Sequence, residues 1–267
     1  MNPSESKLLT PILLKATDDM PWPENESVFH LVTSSGLFLC RNHPFFTSSV
    51  PVDRWPPELA AHAPFMHLRY PRLPQRVFER IVGFFAMIGE NFGAEAAVLL
   101  AWDPTRGAIE VIVPEQRSLV SSSWSGRCYP LSVEYDMPPL PEGWMWIGDI
   151  HSHVDEPAHA STMDEKDEHH RPGLHIVVGR LFSEVEFHIV VTVDGMRFRV
   201  KRLETVVEGY ERRRVDEVPL EWIQKVEVRH WTSQHGYVRI HPVEGAAEPK
   251  QIEGGEPVNP SIESRQS

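Results

Sequence analysis

The chain has 267 residues, of which 41% are hydrophobic and 24% are charged, and its formal net charge is −12. This acidic balance argues against a nucleic-acid partner, because phosphate binding requires a basic surface. Two cysteines are too few for a disulfide framework or a Cys-rich zinc site. No apolar run approaches the ~20 residues that span a bilayer, and no signal peptide is recognisable, so we predict a cytoplasmic protein.

Composition and periodicity divide the chain into four predicted regions. Residues 1–74 are expected to form an N-terminal arm and a small β-hairpin region, with the hairpin over Val28 to Cys40 around Ser34-Ser35-Gly36. Residues 75–210 are expected to form the main domain. A C-terminal extension at 211–243 and a disordered tail at 244–267, which has no aromatic residue, complete the chain.

The main domain begins with a predicted helix from Gln75 to Gly89, in which apolar residues recur at helical spacing. Apolar runs separated by turn residues then predict strands. These runs are Glu95 to Trp102, Ile109 to Val113, Trp144 to Ile150, Leu174 to Val178, Glu186 to Val193 and Met196 to Val200. Residues 117–143 are rich in Ser, Gly and Pro and predict a long surface insertion, and Pro219 to Glu227 predicts a short helix. This order favours an α+β fold, with a mixed β-sheet packed by helices.

Two histidines stand where a predicted buried strand ends. His151 and His153 are two residues apart, so on a strand their side chains point to the same face and can converge on one ion. Asp164 supplies a plausible third ligand, and imidazole with carboxylate suits zinc. Three protein ligands leave one position for water, as in a catalytic zinc site.

Each part of this pattern also has a simpler explanation. An H-x-H pair at a strand end occurs by chance, and Ser161 followed by Asp164 is typical of a helix N-cap. The combination of His151-Ser152-His153, a gap of seven residues, and Ser161-x-x-Asp164 is a much rarer coincidence.

This combination resembles the JAMM motif of the MPN-plus (JAB) zinc metalloproteases, and the resemblance covers roughly residues 75–200. In that family a glutamate commonly opens a buried strand after a core helix, and Glu95 stands in that context. The segments Gly148 to His153 and Leu174 to Gly179 are similar to prokaryotic members that accompany ubiquitin-like conjugation cassettes. The resemblance implies a cytidine-deaminase-like MPN/JAB fold with a small N-terminal β-containing extension.

The resemblance also implies an activity and a role for each residue. His151, His153 and Asp164 would bind Zn²⁺, Glu95 would transfer the proton of the attacking water to the leaving amine, and Ser161 would donate to the oxyanion. The expected reaction is removal or processing of a ubiquitin-like protein after its C-terminal Gly. The expected partners are that protein and its conjugates, with the cognate ThiF-type activating enzyme and the conjugating enzyme.

Two departures from the family pattern stand beside the motif. Val154 follows the second histidine where the family usually has proline, and Ala97-Val98 replaces a Cys-Gly pair that often follows the glutamate. Neither position supplies a ligand or a proton, so we expect altered packing and retained chemistry.

Other classes of protein remain as alternatives. An inert MPN-type module would bind or scaffold without zinc, but such modules characteristically lose ligands that are present here. Metallo-β-lactamase-like sites require H-x-H-x-D-H, and here Glu156 follows Asp155. PHP-type phosphoesterases carry a similar strand near the amino terminus, whereas His151 lies in mid-chain.

Several further polar residues lie near the motif. We expect Asp149 to support the site from behind its ligands. The rest of this group is expected at the surface, and comprises Asp155, His159, Asp167, His169, His170 and His175. Residues 117–143 and 165–173 flank the motif in sequence, and we expect them to form the walls of a substrate groove.

Overall fold

The computed structural model describes residues 10–69, 71–122, 128–232 and 236–240. The chain forms two compact units, Met1–Phe65 and Met66–Ser267. The predicted tail at 244–267 lies outside the described residues. No described helix is long and apolar enough to cross a membrane.

The first unit is a small four-stranded sheet. Its strands are β1 (Ile12–Leu14), β2 (Val28–Thr33), β3 (Gly36–His43) and β4 (Phe46–Pro51), in the order β1-β2-β3-β4. Phe29, Leu31 and Cys40 form its buried centre. The predicted hairpin is confirmed, because β2 and β3 pair antiparallel. Gly36 follows the turn between them and has a φ of 117°.

The second unit contains the helices and the remaining strands. The strands are β5 (Ala97–Asp103), β6 (Ala108–Ile112), β7 (Gln116–Ser122), β8 (Cys128–Tyr135), β9 (Met145–Ser152), β10 (Gly173–Gly179), β11 (Glu186–Val193), β12 (Met196–Arg199), β13 (Val226–Thr232) and β14 (Gly236–Ile240). The helices are α1 (Gln75–Phe92), α2 (Thr162–His169) and α3 (Leu220–Gln224). This content confirms the α+β class, with mostly sheet and few helices.

A six-stranded mixed sheet organises this unit, in the order β12-β11-β10-β9-β5-β6. β9 lies in its interior, parallel to β10 and antiparallel to β5. Alternate residues such as Ile150 and Ile176 join the main hydrophobic cluster with the buried face of α1. Because successive side chains on a strand point to opposite faces, His151 and Asp149 lie on the face away from that cluster.

The prediction of a surface insertion at 117–143 is wrong. This segment includes most of β7 and all of β8, which belong to a second sheet of order β14-β13-β7-β8. β7 pairs parallel to β13, more than a hundred residues later in the chain, with Val226 opposite Gln116. A Ser-rich strand stabilised by so distant a partner leaves little local trace in the sequence.

Glu79 connects α1 to the segment that follows the main sheet. Its side chain is buried and accepts hydrogen bonds from the backbone N–H groups of Glu211 and Arg212, at 2.8 and 3.2 Å. Arg214 Nε lies 2.6 Å from Oε2, and Gln75 Nε2 lies 2.9 Å from Oε1. Burial acts to raise the pKa of Glu79, but these hydrogen bonds lower it from 4.5 to about 2.

We therefore predict that Glu79→Gln lowers the free energy of unfolding by about 2–3 kcal/mol at pH 7. The folded-state pKa is depressed, so the carboxylate stabilises the fold above its unfolded-state pKa and loses that effect as the pH falls. The difference between wild type and variant should decline from about pH 5 towards pH 2. Urea unfolding across this range measures it.

Glu90→Gln is the matched control on the same helix. Glu90 pairs with Arg213 at 3.1 Å, but the two side chains are 45% and 37% exposed. An exposed ion pair of this kind contributes less than about 1 kcal/mol. Equal losses in the two variants, or a loss in Glu79→Gln that does not depend on pH, would contradict the prediction.

Candidate metal site

The structure brings together the three side chains that we predicted from the sequence to be metal ligands. His151 is the second-last residue of β9, His153 directly follows the strand, and Asp164 lies in the first turn of α2. Nε2 of His151 lies 3.6 Å from Oδ1 of Asp164, and Nε2 of His153 lies 3.6 Å from Oδ2. One potential ligand atom from each residue lies within 4.8 Å of the other two, so this group could hold a metal ion.

Strand pairing on both sides fixes the two histidines. His151 is opposite Ala97 of β5 and Val177 of β10. Past the strand end, the N–H of His153 still donates to the Val178 carbonyl at 2.8 Å. Both rings are nearly buried, with 8% of each residue exposed, and their centroids are 5.3 Å apart.

Asp164 performs a structural task while it faces the histidines. Ser161 caps α2, with its hydroxyl accepting from the N–H of Asp164 at 3.1 Å, and Asp164 Oδ2 accepts from the N–H of Ser161 at 2.7 Å. This capping box orients the carboxylate towards His151 and His153, so the helix-cap and ligand interpretations are compatible. Partial burial acts to raise the pKa of Asp164, but the two histidines and Ser161 lower it well below its ordinary value.

A buried nitrogen of His151 marks the centre of this group. Nε2 has no hydrogen-bond partner within the described part of the chain. A buried polar atom without a partner is costly, and an ion at this point would satisfy it. Burial disfavours the protonated ring, but Asp164 outweighs this effect and the pKa of His151 is raised.

Glu95 lies two residues before β5, on the sheet face of the histidines. Because Ala97 is opposite His151 in an antiparallel pair, Glu95 comes opposite His153. Burial raises the pKa of Glu95, and His153 and His151 oppose that rise electrostatically. A carboxyl with a raised pKa is suited to proton transfer near neutral pH.

Two residues of β7, whose role we did not predict from the sequence, form hydrogen bonds with the backbone at the start of β5. The side chain of Gln116 imitates a strand partner, because its Oε1 accepts from the N–H of Ala97 at 2.8 Å and its Nε2 donates to the Ala97 carbonyl at 3.0 Å. Ser118 Oγ donates to the Glu95 carbonyl at 2.5 Å. The backbone that presents Glu95 is therefore fixed by the second sheet.

Asp149 precedes His151 by two residues on β9, so it lies on the same sheet face, and it pairs with His175. Its Oδ2 is 3.1 Å from Nδ1 of His175, directly across the β9–β10 pair. The other nitrogen of His175, Nε2, is 2.9 Å from the Arg171 carbonyl. A carbonyl and a carboxylate both accept, so His175 satisfies them only as a doubly protonated cation.

The expectation that His175 lies at the surface is therefore wrong, since only 2% of it is exposed. Its position inside the apolar run Leu174 to Val178 could have indicated that this histidine is buried. Of the same group, Asp155, His159, Asp167, His169 and His170 are exposed, as expected.

A cleft of about 580 Å³ opens beside the metal-ligand group. β8 forms one wall and α2 the other, and His151 and Asp164 contribute to the lining. Arg171 spans the cleft, with Nη1 3.0 Å from the Tyr135 hydroxyl and 3.7 Å from Asp149 Oδ2. The two flanking segments expected to form groove walls, 117–143 and 165–173, both supply residues to this lining.

Ion pairs hold α2 over the sheet. Arg197 of β12 contacts Glu165 and lies 2.8 Å from Glu168. Glu168 is only 3% exposed, although it lies in a run of charged residues. The helix that carries Asp164 is thus attached to the sheet by charge as well as by its cap.

The Asp149–His175 pair gives a test of this arrangement. Asp149→Asn removes the charge that holds His175 protonated, and we expect it to lower the free energy of unfolding by about 3 kcal/mol at pH 6. Despite burial, Asp149 raises the pKa of His175, so the pair's contribution is present below the ordinary histidine pKa and is lost as pH rises through the folded value. Urea unfolding at pH 6, 7.5 and 9 should show a shrinking difference from wild type.

Asp167→Asn is the control, because it removes an exposed carboxylate from the lining of the same cleft. It should change the free energy of unfolding by less than about 0.5 kcal/mol at every pH. An Asp149→Asn effect as small as this, or one that stays constant with pH, would refute the assignment of His175 as a buried cation.

Comparisons with models of known protein families and with curated proteins find no match to this chain. Functional inference therefore rests on the residues and their geometry. The described residues show a His-His-Asp group that could hold a metal ion, a nearby carboxyl with a raised pKa, and a cleft that His151 and Asp164 line.

Proposed function

We propose that this protein is a zinc-dependent isopeptidase of the JAMM type, which removes or processes a ubiquitin-like protein. The principal support is the convergence of His151, His153 and Asp164, where Nε2 of His151 is buried and has no hydrogen-bond partner among the described residues. We further propose that the second unit has the cytidine-deaminase-like MPN/JAB fold. The sheet, the helix behind it and the position of the ligands at the end of an interior strand agree with that assignment.

The separations between ligand atoms are compatible with zinc. Zinc binds imidazole nitrogen and carboxylate oxygen at about 2.0–2.2 Å, and tetrahedral geometry then separates two ligand atoms by roughly 3.3–3.5 Å. The 3.6 Å distances from Asp164 to each histidine need only a small contraction. Three such ligands leave the fourth position open.

When bound, zinc would act as a Lewis acid and activate a water molecule at neutral pH. Glu95 would accept the proton of the attacking water and then deliver it to the leaving amine, which its raised pKa favours. Ser161 uses a lone pair for the helix cap, so its hydroxyl proton is available to an oxyanion on the substrate.

The cleft indicates how a substrate would lie. β8 is at the edge of its sheet among the described strands, and four consecutive residues, 132–135, line the cleft. Because successive side chains point to opposite faces of a strand, consecutive residues line one cavity when that cavity runs along the edge of the strand. Backbone groups at such an edge can pair with an added strand. An extended tail ending in Gly would add to β8 as a strand and place its last carbonyl near the metal-ligand group. A ubiquitin-like protein and its conjugates would be the partners; the activating and conjugating enzymes rest on the family resemblance alone.

Zinc content after gentle purification is the first test. We expect about one zinc per chain in the wild type and almost none in His153→Ala or Asp164→Ala, because two remaining ligands bind zinc weakly. Elemental analysis with protein quantification measures this. Asp164→Asn should also lose zinc while it keeps the acceptor for the Ser161 N–H, which separates metal loss from loss of the helix start.

His159→Ala is the matched control, since its exposed ring lies 5.0 Å from that of His153 outside the ligand group. It should retain zinc, as should Glu95→Gln, which should cleave a ubiquitin-like fusion about 10²–10⁴-fold more slowly. Wild-type protein that binds no zinc after reconstitution would overturn the proposal and favour a binding module.

Ser161 offers a test that separates structure from chemistry. Ser161→Gly and Ser161→Ala both remove the hydroxyl, and each should reduce kcat by about 10²–10³-fold. Glycine is a tolerable N-cap and alanine is not, so only Ser161→Ala should also destabilise the protein, by about 1 kcal/mol. Rates that follow stability, with Ser161→Gly nearly as active as wild type, would show that the residue serves only as a cap.

A further inference from the structure

A second cavity lies on the same sheet face, one residue row away from the ligands. Ala97, His151 and Val177 are aligned across β5, β9 and β10 and form the row of the metal-ligand group. Leu99, Asp149 and His175 form the next row. All three members of this second row line a cavity of about 390 Å³.

The two cavities are adjacent and share part of their lining. Met137, Asp149, His170 and Arg171 line both the cleft beside the ligands and the second cavity. Met137 follows the end of β8 by two residues, so the edge of that strand leads from the ligand group towards the second cavity. A chain that lies along β8 would therefore pass the mouth of this cavity.

The free surface of the second cavity is apolar. Its apolar lining residues are Leu99, Met137, Trp146 and Pro172. Asp149 and His175 pair with each other at 3.1 Å, and Arg171 Nη1 lies 3.0 Å from the Tyr135 hydroxyl and 3.7 Å from Asp149 Oδ2. A charged ligand group would be desolvated here and would compete with these existing pairs, whereas an apolar group gains from burial.

We propose that this cavity is a specificity subsite for an apolar side chain two residues before the cleaved carbonyl of the substrate. The proposal rests on the isopeptidase function above. In an extended chain, residues two apart share a face and are separated by about 6.6 Å, which is also the spacing between the two rows of the sheet. On the other side of the cleaved bond a lysine side chain would be the leaving group, so only the acyl side continues as a strand along β8.

Direct binding of tail peptides tests this subsite without depending on turnover. The probes are fluorescein-labelled peptides Ser-Ser-Ser-X-Gly-Gly with a free carboxylate, in which X is Leu, Ser, Asp or Lys. Fluorescence anisotropy with the zinc-loaded protein gives each Kd. We expect Leu to bind about 10- to 100-fold more tightly than Ser, as burial of one aliphatic side chain implies, and Asp and Lys no more tightly than Ser.

Substitutions at two neighbouring residues of β9 test whether the preference for Leu arises from this cavity. Trp146→Ala removes a wall of the cavity and should bring the Kd values for Leu and Ser to within about threefold of each other. Met145→Ala is the matched control, because Met145 is 57% exposed and lines neither cavity, and it should keep the wild-type preference. The wild-type peptide series remains decisive if Trp146→Ala does not fold.

The outcomes separate the subsite from the proposed activity. Equal Kd values for Leu and Ser, or no measurable binding of any peptide, would overturn the subsite. A preference for Leu without cleavage of the matching fusion would support the subsite and count against the hydrolytic function. Cleavage of Leu and Ser fusions at equal kcat/KM, with equal Kd values, would support the hydrolytic function and overturn the subsite.

Discussion

The register of β9 between β5 and β10 is the constraint on which the site depends. Pairing on both sides places Asp149 and His151 on the cleft face and Ile150 in the core. A shift of one residue would exchange the two faces, burying the ligand in the core and exposing Ile150. The apolar residues that stabilise the sheet therefore also determine where the imidazoles point, and stability and site geometry derive from the same pairing.

The helix opposite β9 is held in a different way. α2 consists mostly of charged residues, and only Glu168 among them is buried. Its start is fixed by the Ser161–Asp164 capping box, its middle by Arg197, and the turn after it by the contact of the Arg171 carbonyl with His175. Two of the three ligands are thus positioned by an apolar sheet. The third belongs to a helix that is held by polar contacts, and salt weakens such contacts where they are exposed.

The sequence predicted the elements whose signal is local. The helix over α1 and the strands β9 and β10 have continuous apolar periodicity, and His151, His153 and Asp164 follow from residue types at strand and helix ends. The second sheet was missed because β7 depends on β13, a partner distant in the chain. His175 was misplaced for the same reason, since a histidine becomes a buried cation only when register puts a carboxylate opposite it. The roles of Gln116 and Arg171 likewise come from contacts between segments distant in sequence.

Val154, directly after the second histidine, has a φ of 51°, although it is β-branched and buried. Proline, which commonly occupies this position in the family that the motif resembles, has its φ fixed near −65° and cannot adopt that conformation. The chain therefore turns away from the ligands by a backbone conformation that the usual residue forbids. A search pattern that demands proline after the histidine pair would pass over proteins that make this left-handed turn, whereas a search on the three-dimensional arrangement of two imidazoles and a capping carboxylate would find them.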